Sequence, residues 1–564
     1  MKILNIVKQN KLICLVFLTA ALLRFYSLSL TPPSLNWDEV SLGFNAYSIL
    51  KTGKDEWGFF LPNIFRAYGD YKLPGYIYTT SLSEILLGIT PFAVRFPSAL
   101  GGILTVLFTY LLVQKLFNKN TATIAALLVA VEPWTIFLSR IALEANLGLT
   151  FFISGLYFFF KSREKQPLFP LSIFFFGLSV WTYNSYRIFT PLMLLTLLVI
   201  YGKEIFAPLK KQSTKLSLLA GIITAVVFFT PMFWQLLHPT GQARYEKVAI
   251  LDSGAIGTIE HLRNNSNFPS QVTKLFYNRP AYFSFNFIKN WATHFSPNFL
   301  FIEGGSQYQF SMPKHGLVYV INSIFILIGL IYLVKQKSKN SLFLFSWLIL
   351  GPIASSITRE APHVLRAITL LPLPMILAAV GLEAIKSTLK RKNKSLKSIA
   401  IISYLFLLSV LTGVYFYKYF TEYKNDYSWS WQYGYKETVD YIKQNYNNYD
   451  QIIVTKKYGE PHEFLLFHWP WDPEKYRSDS NLVRFKQSDW YWVDRFDKFY
   501  FVNDWDIPHE TNKIWKLESG SEVPVNPKRT LLVTSPGNYP PDWSKLKTIN
   551  FLDGSPAFEI LEKI

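Results

Sequence analysis

Two adjacent carboxylates, Asp38 and Glu39, lie in the stretch SLNWDEVSLGFNAYSIL at residues 34–50. Such a pair can supply a general base or a metal ligand, and at the start of a helix it can equally complement the helix dipole. Apolar residues at 40, 42, 44, 47 and 50 predict a helix lying on a membrane surface. Trp37 beside the pair suits an interfacial anchor. The chain continues to GDYKLPGYIY, where Asp70 and Lys72 precede Leu73-Pro74. The proline discourages helix at Leu73. A lysine on the same side as the carboxylates is a candidate for holding a phosphate.

Further charges punctuate apolar sequence. Arg95 stands in PFAVRFPSAL, Arg187 in YNSYRIFTP, and Arg359, Glu360, His363 and Arg366 in TREAPHVLRA. Arg140 and Glu144, in SRIALEANLG, are spaced to pair on one helix face, and His363 and Arg366 would share a face if their segment is helical. Charges at membrane depth cost a few kcal/mol unless paired or wetted, so each implies a partner or a function. Together they describe a site for an anionic amphiphile. Asp504-Trp505-Asp506 matches the Asp-x-Asp pattern of metal–nucleotide sites, which is too short and common to carry weight. His294, His315 and Glu303 show no zinc spacing. A divalent cation held by Asp38 and remote residues stays open. Cys14 is the one cysteine, so neither an intramolecular disulfide nor a cysteine metal site is available.

The elements that must position these residues are mostly apolar. Of 564 residues, 50% are hydrophobic and 17% aromatic. Eleven candidate spans fall at about 12–30, 92–114, 121–138, 145–160, 168–184, 187–202, 216–236, 316–334, 341–357, 366–385 and 398–418. With the N-terminus cytoplasmic, every predicted inner segment carries two to six Lys or Arg, and Glu164 and Glu204 are the acids among them. The net charge of +19 is thus largely a positive-inside pattern, which argues against a nucleic-acid partner. The first apolar segment lacks a small-residue cleavage site and is expected to stay as a helix. Loops 31–91 and 237–315 and the tail then lie outside. The tail, with a helix near 434–446 and strands at 451–455, 499–503, 530–535 and the chain end, predicts a small extracytoplasmic α/β domain.

The Asp-Glu pair, the later lysine before a proline, RFPSALGG, SRIALEANLG, YNSYR and APHVLRA together resemble the GT-C glycosyltransferases, in the group of protein O-mannosyltransferases (family 39) and aminoarabinose transferases. The resemblance covers about residues 10–420, so the expected domains are 1–420, a GT-C transmembrane domain, and 421–564. It implies a multi-pass enzyme of the cell membrane that takes a sugar from a polyprenyl-phosphate donor. The sugar would go to a protein, lipid or glycan acceptor outside, with inversion. Asp38 would act as the base and Glu39 as its partner. Lys72, Arg187 and Arg366 would bind the donor phosphate, while Asp70, Arg95, Arg140, Glu144 and His363 are candidates for substrate contact. This chain has Tyr71-Lys72-Leu73-Pro74 where aminoarabinose transferases have Glu-Lys-Pro, so the acid before the lysine is missing. It also lacks the MIR module of protein mannosyltransferases. A transporter or flippase of lipid-linked sugars, the competing expectation, would place charges near the bilayer midplane and show internal repeats.

Overall fold

A computed structural model describes residues 11–206, 211–392, 394–510, 514–523 and 529–563. Of the predicted inner segment 1–11, only Lys11 is among them. Apolar segments in lipid must satisfy their backbone internally, and each of the eleven candidate stretches accordingly carries a helix. Among the described residues, five helices are long and apolar enough to cross a membrane, or six when one bent pair is counted as a single span. Others are shorter or interrupted, as at Gly351-Pro352 between the helices Lys339–Leu350 and Ile353–Ser356.

The chain falls into two compact units. One comprises Met1–Tyr26, Ser98–Ser139 and Leu143–Tyr415. Its stretch 121–138 is bent by 56° between the helices Lys119–Val131 and Pro133–Ser139. Pro133 supplies no N–H, and the carbonyls freed at the break find other donors. The buried Arg24 guanidinium donates to the carbonyls of Val129 (2.9 Å) and Ala130 (3.0 Å), and the Thr135 hydroxyl donates to that of Val129 (2.7 Å). The helices Ser323–Gln336 and Leu373–Lys392 meet backbone to backbone at two glycines. A Cβ at Gly329 would stand 2.1 Å from the Leu377 carbonyl oxygen, and one at Gly381 would stand 2.0 Å from that of Phe325. Small residues permit this approach between membrane helices.

The other unit comprises Ser27–Pro97, Arg140–Ala142 and Phe416–Ile564, so the whole first predicted outer loop and the tail pack as one body. It holds the helices Trp37–Thr52 and Pro74–Leu87, joined through a hairpin of β1 (Phe65–Arg66) and β2 (Tyr71–Lys72). In the tail, the helix Tyr435–Asn445 leads into β3 (Gln451–Thr455), and β4 (Val483–Gln487), β5 (Trp490–Phe496) and β6 (Phe499–Val502) follow. β7 (Trp515–Lys516) and β8 (Glu522–Val523) form a small ribbon, and β9 (Thr530–Thr534), β10 (Trp543–Asn550) and β11 (Pro556–Lys563) complete the set. The main sheet has the order β10-β11-β9-β3-β6-β5-β4, with β3 parallel to both β6 and β9 and the other pairings antiparallel.

β3 and β9 are buried along their whole length, which is why their apolar runs stood out in the sequence. β4 and β10 (VRFKQ and WSKLKTIN) are partly exposed, and their polar residues hid them from a reading based on apolar runs. The tail helix Pro461–His468 lies against Trp37–Thr52 closely enough that a Cβ on Gly43 would meet the Phe467 ring at 2.4 Å and Val94 at 2.9 Å.

Candidate functional site

Asn36 caps the helix Trp37–Thr52 through a reciprocal box, its side chain accepting from the Glu39 N–H (3.0 Å) while Glu39 accepts from the Asn36 N–H (3.2 Å). The Glu39 carboxylate also takes two bonds from the Arg95 guanidinium, at 2.8 and 2.9 Å, and one from the Ala142 N–H at 2.9 Å. Arg95 directs its remaining N–H groups to the carbonyls of Leu28 (3.0 Å), Pro32 (2.8 Å) and Ser34. All five of its donors are thereby occupied, and both side chains are buried. Glu39 and Arg95 present no open face to a substrate; their effect is to fix the helix start, the preceding turn and the segment Arg140–Ala142.

Asp38 differs in environment from the acid next to it. Its side chain is 46% exposed, and its carboxylate lies 2.7 Å from Lys72 Nζ, whose own side chain is 13% exposed. The hairpin register, Phe65 opposite Lys72 and Arg66 opposite Tyr71, delivers the lysine there. Asp70 lies in the hairpin turn, its carbonyl accepting from the Ala67 N–H at 3.0 Å. The tail and the hairpin turn brace the same turn of helix: Gln432 Oε1 accepts from the Trp37 N–H at 2.8 Å, and the Tyr68 hydroxyl donates to the Trp37 carbonyl at 2.8 Å. Tyr68 stacks on Trp490 with ring centres 5.8 Å apart.

Behind that helix lies a buried group of acids, Glu56, Glu460 and Glu463, with His462 among them. Glu56 accepts from Asn45 Nδ2 at 3.3 Å, and Trp490 Nε1 donates to Glu460 at 2.5 Å. Burial raises all three carboxyls, Glu463 further through the neighbouring Glu56, and carries Glu460 to about 7. Among the described residues, no group of three or more His, Cys, Asp or Glu is placed to hold a metal ion.

In the other unit, Arg187, Arg244 and Arg366 line a cavity of about 130 Å³ together with Tyr183, Ser185 and Thr358. That is space for about four waters at ~30 Å³ each, the scale of a small anionic headgroup. Arg366 donates to Thr358 (3.0 Å) and Glu360 (2.9 Å), and Arg187 donates to the Val180 carbonyl (3.3 Å) and to Gln235. Sequence reasoning passed over Arg244. It stands in a polar helix, Pro239–Val248, of the long loop 237–315, without a motif around it.

Several expectations take a different form. Arg140 and Glu144 do not share a helix face: one helix ends at Ser139 and the next begins at Glu144. Arg140 is instead buried, donating to the Thr31 carbonyl at 3.0 Å and lying over the rings of Tyr419 and Phe420 at 5.4 and 5.3 Å. Glu144 sits in a first helical turn, where the dipole favours it. His363 precedes the short 3₁₀ turn that Arg366 begins and accepts from the Arg366 N–H at 3.3 Å. Burial, then the nearby Arg366 and Arg244, hold His363 down to about 3, so it is a neutral imidazole rather than a cation for a phosphate.

Known proteins agree with this architecture. Residues 72–234 match the family model described as dolichyl-phosphate-mannose-protein mannosyltransferase. YkcB of Bacillus subtilis (strain 168), a protein carrying the name of a mannosyltransferase, is 27% identical over 152 residues, which are 27% of this chain and 21% of YkcB. The chain therefore spans about a fifth of the length of that relative. Structures of ArnT from Cupriavidus metallidurans, apo and bound to undecaprenyl phosphate, superpose with a TM-score of 0.51 each. Their identities are 12% and 11%, and they cover 99% and 98% of this chain and 98% of ArnT. The Archaeoglobus fulgidus oligosaccharyltransferase superposes at a TM-score of 0.49 with 14% identity, covering 81% of this chain and 61% of that one. The resemblance read from the sequence is borne out, and the chain has the GT-C fold of multi-pass membrane glycosyltransferases.

Two outcomes follow from the geometry. Removing one partner of a buried ion pair typically costs ~3–5 kcal/mol. Arg95→Met should lose stability on that scale, read as thermal inactivation in detergent, whereas Asp38→Asn should not. Glu460 has a folded pKa above its unfolded value, so its stabilising contribution is fully present below about 4.5 and is lost as pH rises through about 7. Glu460→Gln should therefore be more stable than the parent at pH 8, by up to ~3 kcal/mol, and should lose that advantage near pH 4.

Proposed function

We propose that this GT-C membrane protein is a glycosyltransferase that moves a sugar from a polyprenyl-phosphate donor to an acceptor hydroxyl on the outer side of the membrane, with inversion. One observation carries the reading. Of two adjacent carboxylates, one is locked in a buried network and the other is accessible and salt-bridged at 2.7 Å to a lysine. A reaction at a sugar phosphate needs both parts of that bridge, a base for the attacking hydroxyl and a cation for the departing phosphate. The mannosyltransferase family match, which begins at Lys72, and the undecaprenyl phosphate bound by ArnT support this class of donor.

In the proposed reaction the acceptor hydroxyl gives its proton to the Asp38 carboxylate. Its oxygen bonds to the anomeric carbon, while the bond from that carbon to the phosphate oxygen breaks. The polyprenyl phosphate leaves with the electron pair. In the free protein Lys72 neutralises Asp38; an arriving phosphate would compete for the ammonium and release the carboxylate to act as base. Arg187 and Arg366, with Arg244 beside them in the cavity, have the chemistry to hold the same kind of headgroup. Glu39 and Arg95 act as positioning residues. With the predicted positive-inside topology, the cytoplasmic N-terminus leaves this site outside.

Asp38→Asn, assayed with a radiolabelled polyprenyl-phosphate sugar in membranes, should lower turnover by ~10²–10⁴-fold. Full turnover in a membrane-inserted variant would remove the base assignment. Lys72→Ala should lower turnover and weaken donor handling, with ~3–4 kcal/mol of transition-state stabilisation at stake. An unchanged donor KM together with an unchanged kcat would take Lys72 out of the site.

A further inference from the structure

The tail carries a second arrangement that the transfer reading leaves unused. β3, β6 and β9 run parallel, and the segments after their carboxyl ends come together. Crevices outside the carboxyl ends of parallel strands are where open α/β sheets bind ligands. Here Asp504, two residues past β6, ties the three ends. Its Oδ1 accepts from Thr455 of β3 at 2.9 Å and from Ser535 after β9 at 2.7 Å, and its carbonyl accepts from Asn538 at 2.6 Å. Asn503 Nδ2 donates to Asp506 at 3.1 Å and closes the turn. On this braced turn stands Trp505, 81% exposed. The loop opposite opens at Gly537, where an added Cβ would meet nothing within 4 Å.

The charges around Trp505 limit what it could meet. Lys457 lies 3.3 Å from Asp504 and is half exposed, and Asp506 is exposed. Lys456 is buried and spent on Asp494 and Glu518 at 2.7 and 3.1 Å. An anionic lipid surface or a free phosphate needs an excess of cations, which Asp504 and Asp506 deny. A metal-bound nucleotide needs open carboxylate oxygens, and Asp504 Oδ1 already serves two hydroxyls. A neutral sugar needs an apolar ring face flanked by both acceptors and donors, because each hydroxyl is both. The turn supplies that set, with exposed Trp505 followed by Asp506 and with Lys457 paired to the preceding Asp504.

We infer that the Trp505 turn at the carboxyl ends of β3, β6 and β9 is a binding site for neutral carbohydrate. The inference rests on the tail alone and does not depend on the transfer reading.

The test uses the full chain in nanodiscs, in the Asp38→Asn background, titrated with mannohexaose and maltohexaose and read by saturation-transfer NMR and calorimetry. Saturable binding of either sugar is expected. Trp505→Ala should weaken it at least about tenfold, Trp505→Phe should keep most of it, and Asp506→Asn with Lys457→Gln should weaken it severalfold. Absence of binding by the parent, or binding indifferent to Trp505→Ala, would overturn the site. So would a Trp505-dependent association of the chain with added phosphatidylglycerol vesicles and none with sugar. Sugar binding at Trp505 in a chain whose Asp38 form transfers nothing would defeat the transfer reading and leave this one standing.

Discussion

The Glu39–Arg95 pair is the constraint on which the candidate site depends. A carboxylate and a guanidinium withdrawn from water each carry a desolvation penalty of several kcal/mol, recovered only when the geometry is good and the remaining donors and acceptors are filled. Here they are filled. Arg95 spends its other N–H groups on the carbonyls of Leu28, Pro32 and Ser34, and Glu39 takes the N–H groups of Asn36 and Ala142. A bidentate pair of this kind fixes orientation as well as distance. The helix start that carries Asp38 is therefore set by a rigid polar knot.

That knot explains why two neighbouring acids can have opposite fates. One residue of helix advances the side chain by about 100°. With Glu39 turned into the protein, Asp38 faces outward, toward the lysine that the hairpin delivers. The accessible carboxylate inherits its position from the buried one. The tail adds to this from the far end of the sequence: Gln432 holds the backbone of Trp37, and Trp490 stacks on the hairpin's Tyr68, which bonds the same residue. Residues several hundred positions apart thus brace a single turn of helix.

The tail sheet shows the same economy of polar contacts. Asp504 satisfies hydroxyls from the ends of two other strands while holding an exposed tryptophan in place. Behind the Asp38 helix, by contrast, Glu56, Glu460 and Glu463 sit where burial favours their protonated forms. Carboxyl groups thus serve as buried ion-pair partner, accessible partner of a lysine, strand tie and buried acids raised by desolvation, according to what surrounds each.

Much was legible in the sequence because it rests on local chemistry. Long apolar runs need helices in lipid, so each of the eleven candidate stretches carries a helix, though among the described residues only five helices, or six with the bent pair, are long and apolar enough to cross a membrane; the fully buried β3 and β9 showed as apolar runs. The Asp-Glu pair was legible as the start of a helix because acids there complement the helix dipole. What the sequence could not give is partnership across distance. It placed Arg140 and Glu144 on one helix face, whereas the helix breaks between them and Arg140 is buried under aromatic rings. It counted His363 among the charged candidates, whereas burial and the arginines beside it keep it neutral. It gave no weight to Arg244, which gains meaning only from Arg187 and Arg366 in the same cavity. Residue type and spacing fix which groups can ionise, bond or span a membrane. Which carboxylate is buried and which stays accessible beside a lysine depends on desolvation and on partners tens to hundreds of residues away, and only the tertiary structure decides that.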